Sequence, residues 1–166
     1  MDSRGGADCA DMASTFYSQG YQKLKSGEPA EAEKLFMQAL EYDPDNLKTL
    51  NCLGFVLYQL KDYRRGEEIC RKAAAAGPDD AYAFKGLGLH CAKNGKLEEG
   101  VSFIRRAIEL SDDFVDAYYD LAVIHYEAGQ KEEAIKSLKA GLIHVRSESH
   151  REMFNRFLSV LGHPGS

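Results

Sequence analysis

Residues Ala81–Phe114 read AYAFKGLGLHCAKNGKLEEGVSFIRRAIELSDDF. Two amphipathic runs flank a break at Asn94-Gly95, and small residues (Gly88, Gly100, Ala107) fall where two helices would have to touch. The stretch predicts a helical hairpin. Sliding the window by 34 residues in either direction returns the same pattern, so four windows fit without a gap: 13–46, 47–80, 81–114 and 115–148. A fixed period of this size is the mark of a stacked-repeat fold.

The columns of that register carry the physics. Phe16, Leu50, Phe84 and Tyr118 are large, and Phe36, Cys70, Ile104 and Leu138 fill a second core column. Gly20, Gly54, Gly88 and Ala122 are small, as are Ala32, Gly66, Gly100 and Ala134, and Ala39, Ala73, Ala107 and Gly141. A glycine inside a helix costs about 1 kcal/mol against alanine, so Gly54, Gly66, Gly88 and Gly100 need a packing reason. Close approach of paired helices supplies it.

The period, these small and large columns, and Pro44 and Pro78 after the second helix of a pair resemble the tetratricopeptide repeat (TPR) family. The likeness covers Ala13–Glu148. There are departures: no column carries a tryptophan, Gln19 stands where Leu53, Leu87 and Leu121 stand later, and Asp112 and Arg146 replace the prolines. The resemblance implies an all-α fold, a right-handed α-α superhelix of helical hairpins with atypical end repeats.

In chain order, residues 1–12 are expected as a flexible tail around Gly5-Gly6. Helices follow at about 13–26, 30–42, 47–60, 63–76, 81–93, 97–110, 115–128 and 131–145, with Pro29 suited to a first turn and Gly77-Pro78 to a stop. Ser149-His150-Arg151-Glu152 has the form of a capping box opening a final helix over 149–162, whose stripe of Met153, Phe154, Phe157, Leu158 and Leu161 would lid the fourth repeat. Residues 163–166 are expected as a second flexible tail.

The chain has 166 residues and a net charge of −5, which argues against generic phosphate-backbone binding and hence against nucleic acid as a partner. Its longest uncharged run, Thr49–Leu60, is too short to insert into a membrane, and MDSRGGADCADMAS lacks a signal-peptide core. Cytoplasmic residence is the expectation. Cys9, Cys52, Cys70 and Cys91 form no CxxC pair, and Cys70 and Cys91 fall in core columns as small hydrophobes.

Chemistry has little to stand on. The sequence holds no GxxxxGK[ST], HExxH, GxSxG or GxGxxG, so no enzyme activity and no cofactor are expected. His125 shares a core column with Leu57 and Cys91, while His144 and His150 could meet near the last turn without a convincing zinc set, so no metal is expected either. Glu67-Glu68, Glu98-Glu99 and Glu132-Glu133 lie near helix starts, where the dipole favours them as solvated charges.

In the family, the first helix of each pair lines a concave groove. Carried over column by column, the resemblance implies partner-binding residues Tyr17, Tyr21, Lys48, Asn51, Phe55, Tyr58, Tyr82, Lys85, Leu89, Asp116, Tyr119 and Asp120. Tyrosine is dense there, Ser18, Cys52 and Gly86 form a strip of small residues, and charge runs from central Lys48 and Lys85 to Asp116 and Asp120. A ligand with a central acid and a basic end would match. The clamp that holds chaperone C-terminal carboxylates finds no match at Tyr17, Tyr21, Cys52, Tyr82 and Gly86, nor one repeat along. The expected function is a protein-binding adaptor that takes a peptide segment or helix of a protein partner. The alternative is a self-associating scaffold, a homo-oligomer of the kind that organises multiprotein or membrane-associated assemblies.

Overall fold

The computed structural model describes residues 3–162, with side chains from Asp8 onward. Among them are nine helices and no strand: α1 Ser3–Lys25, α2 Pro29–Tyr42, α3 Leu47–Gln59, α4 Tyr63–Ala76, α5 Ala81–Lys93, α6 Leu97–Leu110, α7 Val115–Glu127, α8 Lys131–Leu142 and α9 Glu148–Val160. Each odd–even pair is a hairpin, and each hairpin packs on the next. The expected tail at 163–166 lies outside the described residues.

The turns show why the hairpins recur. The second residue after each first helix has a left-handed backbone: Gly27 (φ 74°), Lys61 (φ 60°), Gly95 (φ 81°) and Gly129 (φ 74°). In each case the next amide closes back on the helix, as Asp62 N–H does on the Leu57 carbonyl and Lys96 N–H on Cys91. Asn46, Asp62 and Asp80 cap α3, α4 and α5 through side-chain oxygens that accept from Thr49, Arg65 and Ala83 amides.

α1 departs from the expected plan, starting at Ser3 rather than near Ala13. Met12 occupies the column where Asn46 and Asp80 cap later helices, and Ala10 the column of Pro44 and Pro78. With neither cap nor proline to stop it, the helix runs on toward its N-terminus. The last helix is capped by Ser147, not Ser149: the Ser147 hydroxyl accepts from the His150 amide at 3.2 Å. The capping-box reading was two residues late.

The core is a chain of small clusters. Phe36, Leu53, Val56 and Leu57 join the first two hairpins, Leu50, Ala73 and Ala83 the second and third, and Ile104, Ala107, Ala117, Leu121 and Ile124 the third and fourth. α9 buries Phe154, Leu158 and Leu161 against Ala122, Ala134 and Leu138. The glycine columns are sites of contact: a Cβ on Gly88 would lie 2.5 Å from Ile104 Cγ1, one on Gly54 2.6 Å from Cys70 Sγ, and one on Gly141 2.6 Å from Phe154 Cε1. At the other end, Gln19, Gln22 and Lys23 occupy the columns of Leu53, Val56 and Leu57, so that face of the first hairpin is wet. Among the described residues no helix is long and apolar enough to cross a membrane.

One convex-face expectation is corrected. Glu67 is buried rather than solvated, 6% exposed, with Lys96 Nζ at 2.7 Å, Asn94 Nδ2 at 2.8 Å and Arg71 at 2.8 Å. Burial opposes its charge, yet these three donors win and hold the carboxyl at about 2. Arg71 continues to Glu99 at 2.6 Å, so the network bolts the second hairpin to the third.

Candidate functional site

The first helices line a concave face, which holds a groove of ≈ 580 Å³ across α1, α3 and α5 that reaches Asp120 on α7. Tyr21, Asn51, Phe55, Tyr58, Tyr82, Lys85, Leu89 and Asp120 line it, all from the expected set. Its aromatic side chains are open to solvent: Tyr21 is 44% exposed, Phe55 53% and Tyr82 63%. Tyr82 is braced by Phe114 at 4.6 Å between ring centroids, and Tyr58 by Tyr63 and His90 at 5.5 and 5.6 Å. These contacts fix where the rings stand.

The other expected residues stand elsewhere. Tyr17 is a packing residue: its ring lies 5.9 Å from Phe36 and 6.2 Å from Tyr21, Cys52 Sγ is 3.9 Å from its hydroxyl, and burial pushes its phenol up to about 12. Tyr119 lies against Phe154 and Phe157 of α9, at 5.4 and 5.5 Å, and lines a separate hollow with Met153 and Arg156. Lys48 is exposed and outside the groove. Asp116 is exposed too, and faces His150 Nε2 at 3.5 Å.

Two charges of the gradient expected from the sequence, Lys85 and Asp120, pair with each other inside the molecule. Lys85 Nζ sits 3.2 Å from Asp120 Oδ2, Lys93 Nζ 2.6 Å from Glu127 Oε1, and Asn51 Nδ2 donates to Asp80 Oδ1 at 3.0 Å. Burial lifts the Asp120 carboxyl above its ordinary value, and the Lys85 ammonium offsets part of that rise. Gly86 has an internal reason to be small, since a Cβ there would sit 3.0 Å from Cys70 Sγ. Cys70 and Cys91 are pushed up to about 12 and about 11, in each case first by burial, which makes them inert thiols.

His90 was missed by sequence reasoning. It is 1% exposed, its Nε2 lies 3.0 Å from the Gly54 carbonyl, and its ring fills the space that a side chain on Gly66 would need. Burial lowers its pKa, so the neutral ring is favoured. The signal was available: His90 holds the column of Val56 and Ile124, both buried. His125 is buried as expected, its Nδ1 2.6 Å from Gln130 Oε1. His144 stacks on Tyr118 at 5.4 Å, and His150 turns to Ser147 and Asp116. No group of three metal-ligating side chains converges among the described residues.

Comparison with known proteins agrees with this architecture. The tetratricopeptide-repeat family profile matches residues 23–88 and 92–150. The chain is 30% identical over 131 residues to a protein CTR9 homolog of Arabidopsis thaliana, covering 76% of this chain and 12% of that protein. It is 34% identical over 102 residues to a peroxisomal targeting signal receptor of Eremothecium gossypii, covering 61% of this chain and 17% of the receptor. This chain therefore spans less than a fifth of either relative. Among solved structures, the TPR protein TTC0263 of Thermus thermophilus superposes with a TM-score of 0.78 at 18% identity, over 90% of this chain and 80-odd per cent (83%) of that one. With its four tandem hairpins and C-terminal capping helix, the chain belongs to the tetratricopeptide-repeat family.

Proposed function

We propose that this chain is a non-enzymatic adaptor whose concave groove takes up a segment of a protein partner. The observation that carries the reading is the groove itself: three exposed aromatic side chains, Tyr21, Phe55 and Tyr82, project from three successive first helices into one hollow of ≈ 580 Å³. Exposed aromatics supply large contact area at low entropy cost, which is what a protein-binding face needs, and two of the three are braced, Tyr21 by Tyr17 and Tyr82 by Phe114. The likeness to a protein named as a targeting signal receptor supports the same reading.

The test is capture from source lysate on wild type beside Phe55→Glu and Leu89→Glu, with Arg105→Glu on the convex face as control. The proposal expects a protein retained by wild type and by Arg105→Glu and lost from both groove variants. Retention by all four would place binding elsewhere.

A further inference from the structure

On the convex side, the second and third hairpins are joined through one buried carboxylate. Glu67 Oε1 accepts from Lys96 Nζ at 2.7 Å and from Arg71 Nη2 at 2.8 Å, and the same Arg71 nitrogen lies 3.9 Å from Cys91 Sγ. Arg65 of α4 and Glu33 of α2 pair across the first junction. The third junction keeps the cation and loses the acid. Arg105 stands in the column of Arg71, but Val101 replaces Glu67, Gln130 replaces Lys96 and His125 replaces Cys91. Glu133, in the column of Glu99, pairs with Lys136 at 2.6 Å, which leaves Arg105 without an ion pair among the described residues.

At this junction the structure has an open cleft of ≈ 390 Å³, within the range of small-molecule sites. Leu97 and Val101 give it apolar surface, and Glu98, Arg105, His125 and Gln130 line it too. His125 is only 5% exposed. Its Nδ1 lies 2.6 Å from Gln130 Oε1, an oxygen that can only accept, so the ring proton sits on Nδ1. Nε2 remains as an acceptor, and the Gln130 amide nitrogen as a donor, neither with a partner among the described residues. Glu109, also at the cleft, is held by Arg106 at 3.2 Å. Glu98 and Arg105 therefore stand as one unpaired charge of each sign. They are about 10 Å apart along α6, a gap that two long side chains narrow from either end.

We propose that this cleft is a second site, separate from the concave groove, and that it takes a free amino acid with an aliphatic side chain. The carboxylate meets Arg105 and the Gln130 amide, in the columns that hold the Glu67 carboxylate one repeat earlier. The ammonium donates to His125 Nε2 with Glu98 as its counter-charge, and the side chain lies on Leu97 and Val101. A simple acid offers no donor to His125, and a simple amine offers nothing to Arg105, so the zwitterion is selected.

Titration of ¹⁵N-labelled protein with leucine tests this, beside N-acetylleucine and leucinamide, each of which lacks one of the two charges. The proteins are wild type, Arg105→Gln and Val101→Glu, the last of which returns the missing carboxylate to the chain itself. Circular dichroism checks both folds; Arg105 is exposed, so Arg105→Gln carries the test alone should Val101→Glu unfold. The expected result is saturable shifts with leucine at residues 97–105 and 125–130, the His125 Nε2 signal included. Both derivatives bind at least about tenfold more weakly, as does leucine to either variant. No saturable shift with leucine, equal binding of either derivative, or equal binding of leucine to Arg105→Gln overturns the proposal.

Discussion

Lys85 Nζ lies 3.2 Å from Asp120 Oδ2, bridging α5 to α7 on the groove floor between side chains only 21% and 23% exposed. Two residues that look like ligand-binding charges in the sequence are each other's partner. Breaking the pair from the lysine side leaves a half-buried carboxylate alone; breaking it from the other side with Asp120→Asn leaves a flexible ammonium that can reach water. Lys85→Met is therefore expected to cost about 1–3 kcal/mol and Asp120→Asn clearly less, read from urea midpoints. Equal costs would mean that the pair is not a buried unit.

Lys61 holds a left-handed conformation that the other three hairpins give to Gly27, Gly95 and Gly129. A side chain there costs about 1–2 kcal/mol, of which glycine's greater unfolded-state freedom returns part. Lys61→Gly is expected to stabilise by about 0.5–1 kcal/mol, a rise of about 1–4 °C in thermal midpoint. A lower midpoint would contradict the geometry of this turn.

Gly88 and Gly100 bring α5 and α6 into backbone contact: a Cβ on Gly88 would stand 2.7 Å from the Gly100 carbonyl oxygen, and one on Gly100 2.7 Å from that of Gly88. Neither oxygen can swing aside as a side chain could. Gly88→Ala is expected to cost about 1–3 kcal/mol, and Gly88→Leu more. Calorimetry of the two variants beside wild type checks this; unchanged midpoints would break the helix-contact account.

Glu67 is held at about 2 against an ordinary 4.5. A carboxyl whose folded value is depressed contributes stability that is complete above 4.5 and lost as pH falls toward 2. The Glu67→Gln variant should start less stable at neutral pH and lose less on acidification through that window. Thermal midpoints across the acid range decide it: parallel curves for the two proteins would show that the Arg71–Glu67–Lys96 network does not join the second and third hairpins.

The fold was legible because every column was sampled four times. Gly54, Gly88 and Gly100 make little sense in isolated helices and immediate sense in a 34-residue register. The start of α1 was harder, because it depends on what is missing at Ala10 and Met12 relative to later columns. In the groove, the lining aromatics followed from their columns, but Tyr17 did not: its neighbour Phe36 comes from α2, and a column says nothing of what packs across it. The charge pairs were readable in principle. Lys93 and Glu127 share a column, and Lys85 and Asp120 fall in adjoining ones, so opposite charges one repeat apart face each other across neighbouring helices. Reading each charge as a free ligand contact overlooked that the solenoid supplies its own counter-charges. The burial of His90 was readable from its column, shared with Val56 and Ile124, but the seat of its ring against Gly66 of α4 was not.

The most direct measurement of the central claim is photo-crosslinking with a benzophenone amino acid placed at position 55, in the groove, and separately at position 105, on the convex face. Both sites tolerate a bulky aromatic group, because Phe55 and Arg105 are exposed. The account predicts that light joins a protein partner to position 55 and not to position 105. A partner joined at 105 and never at 55 would contradict it.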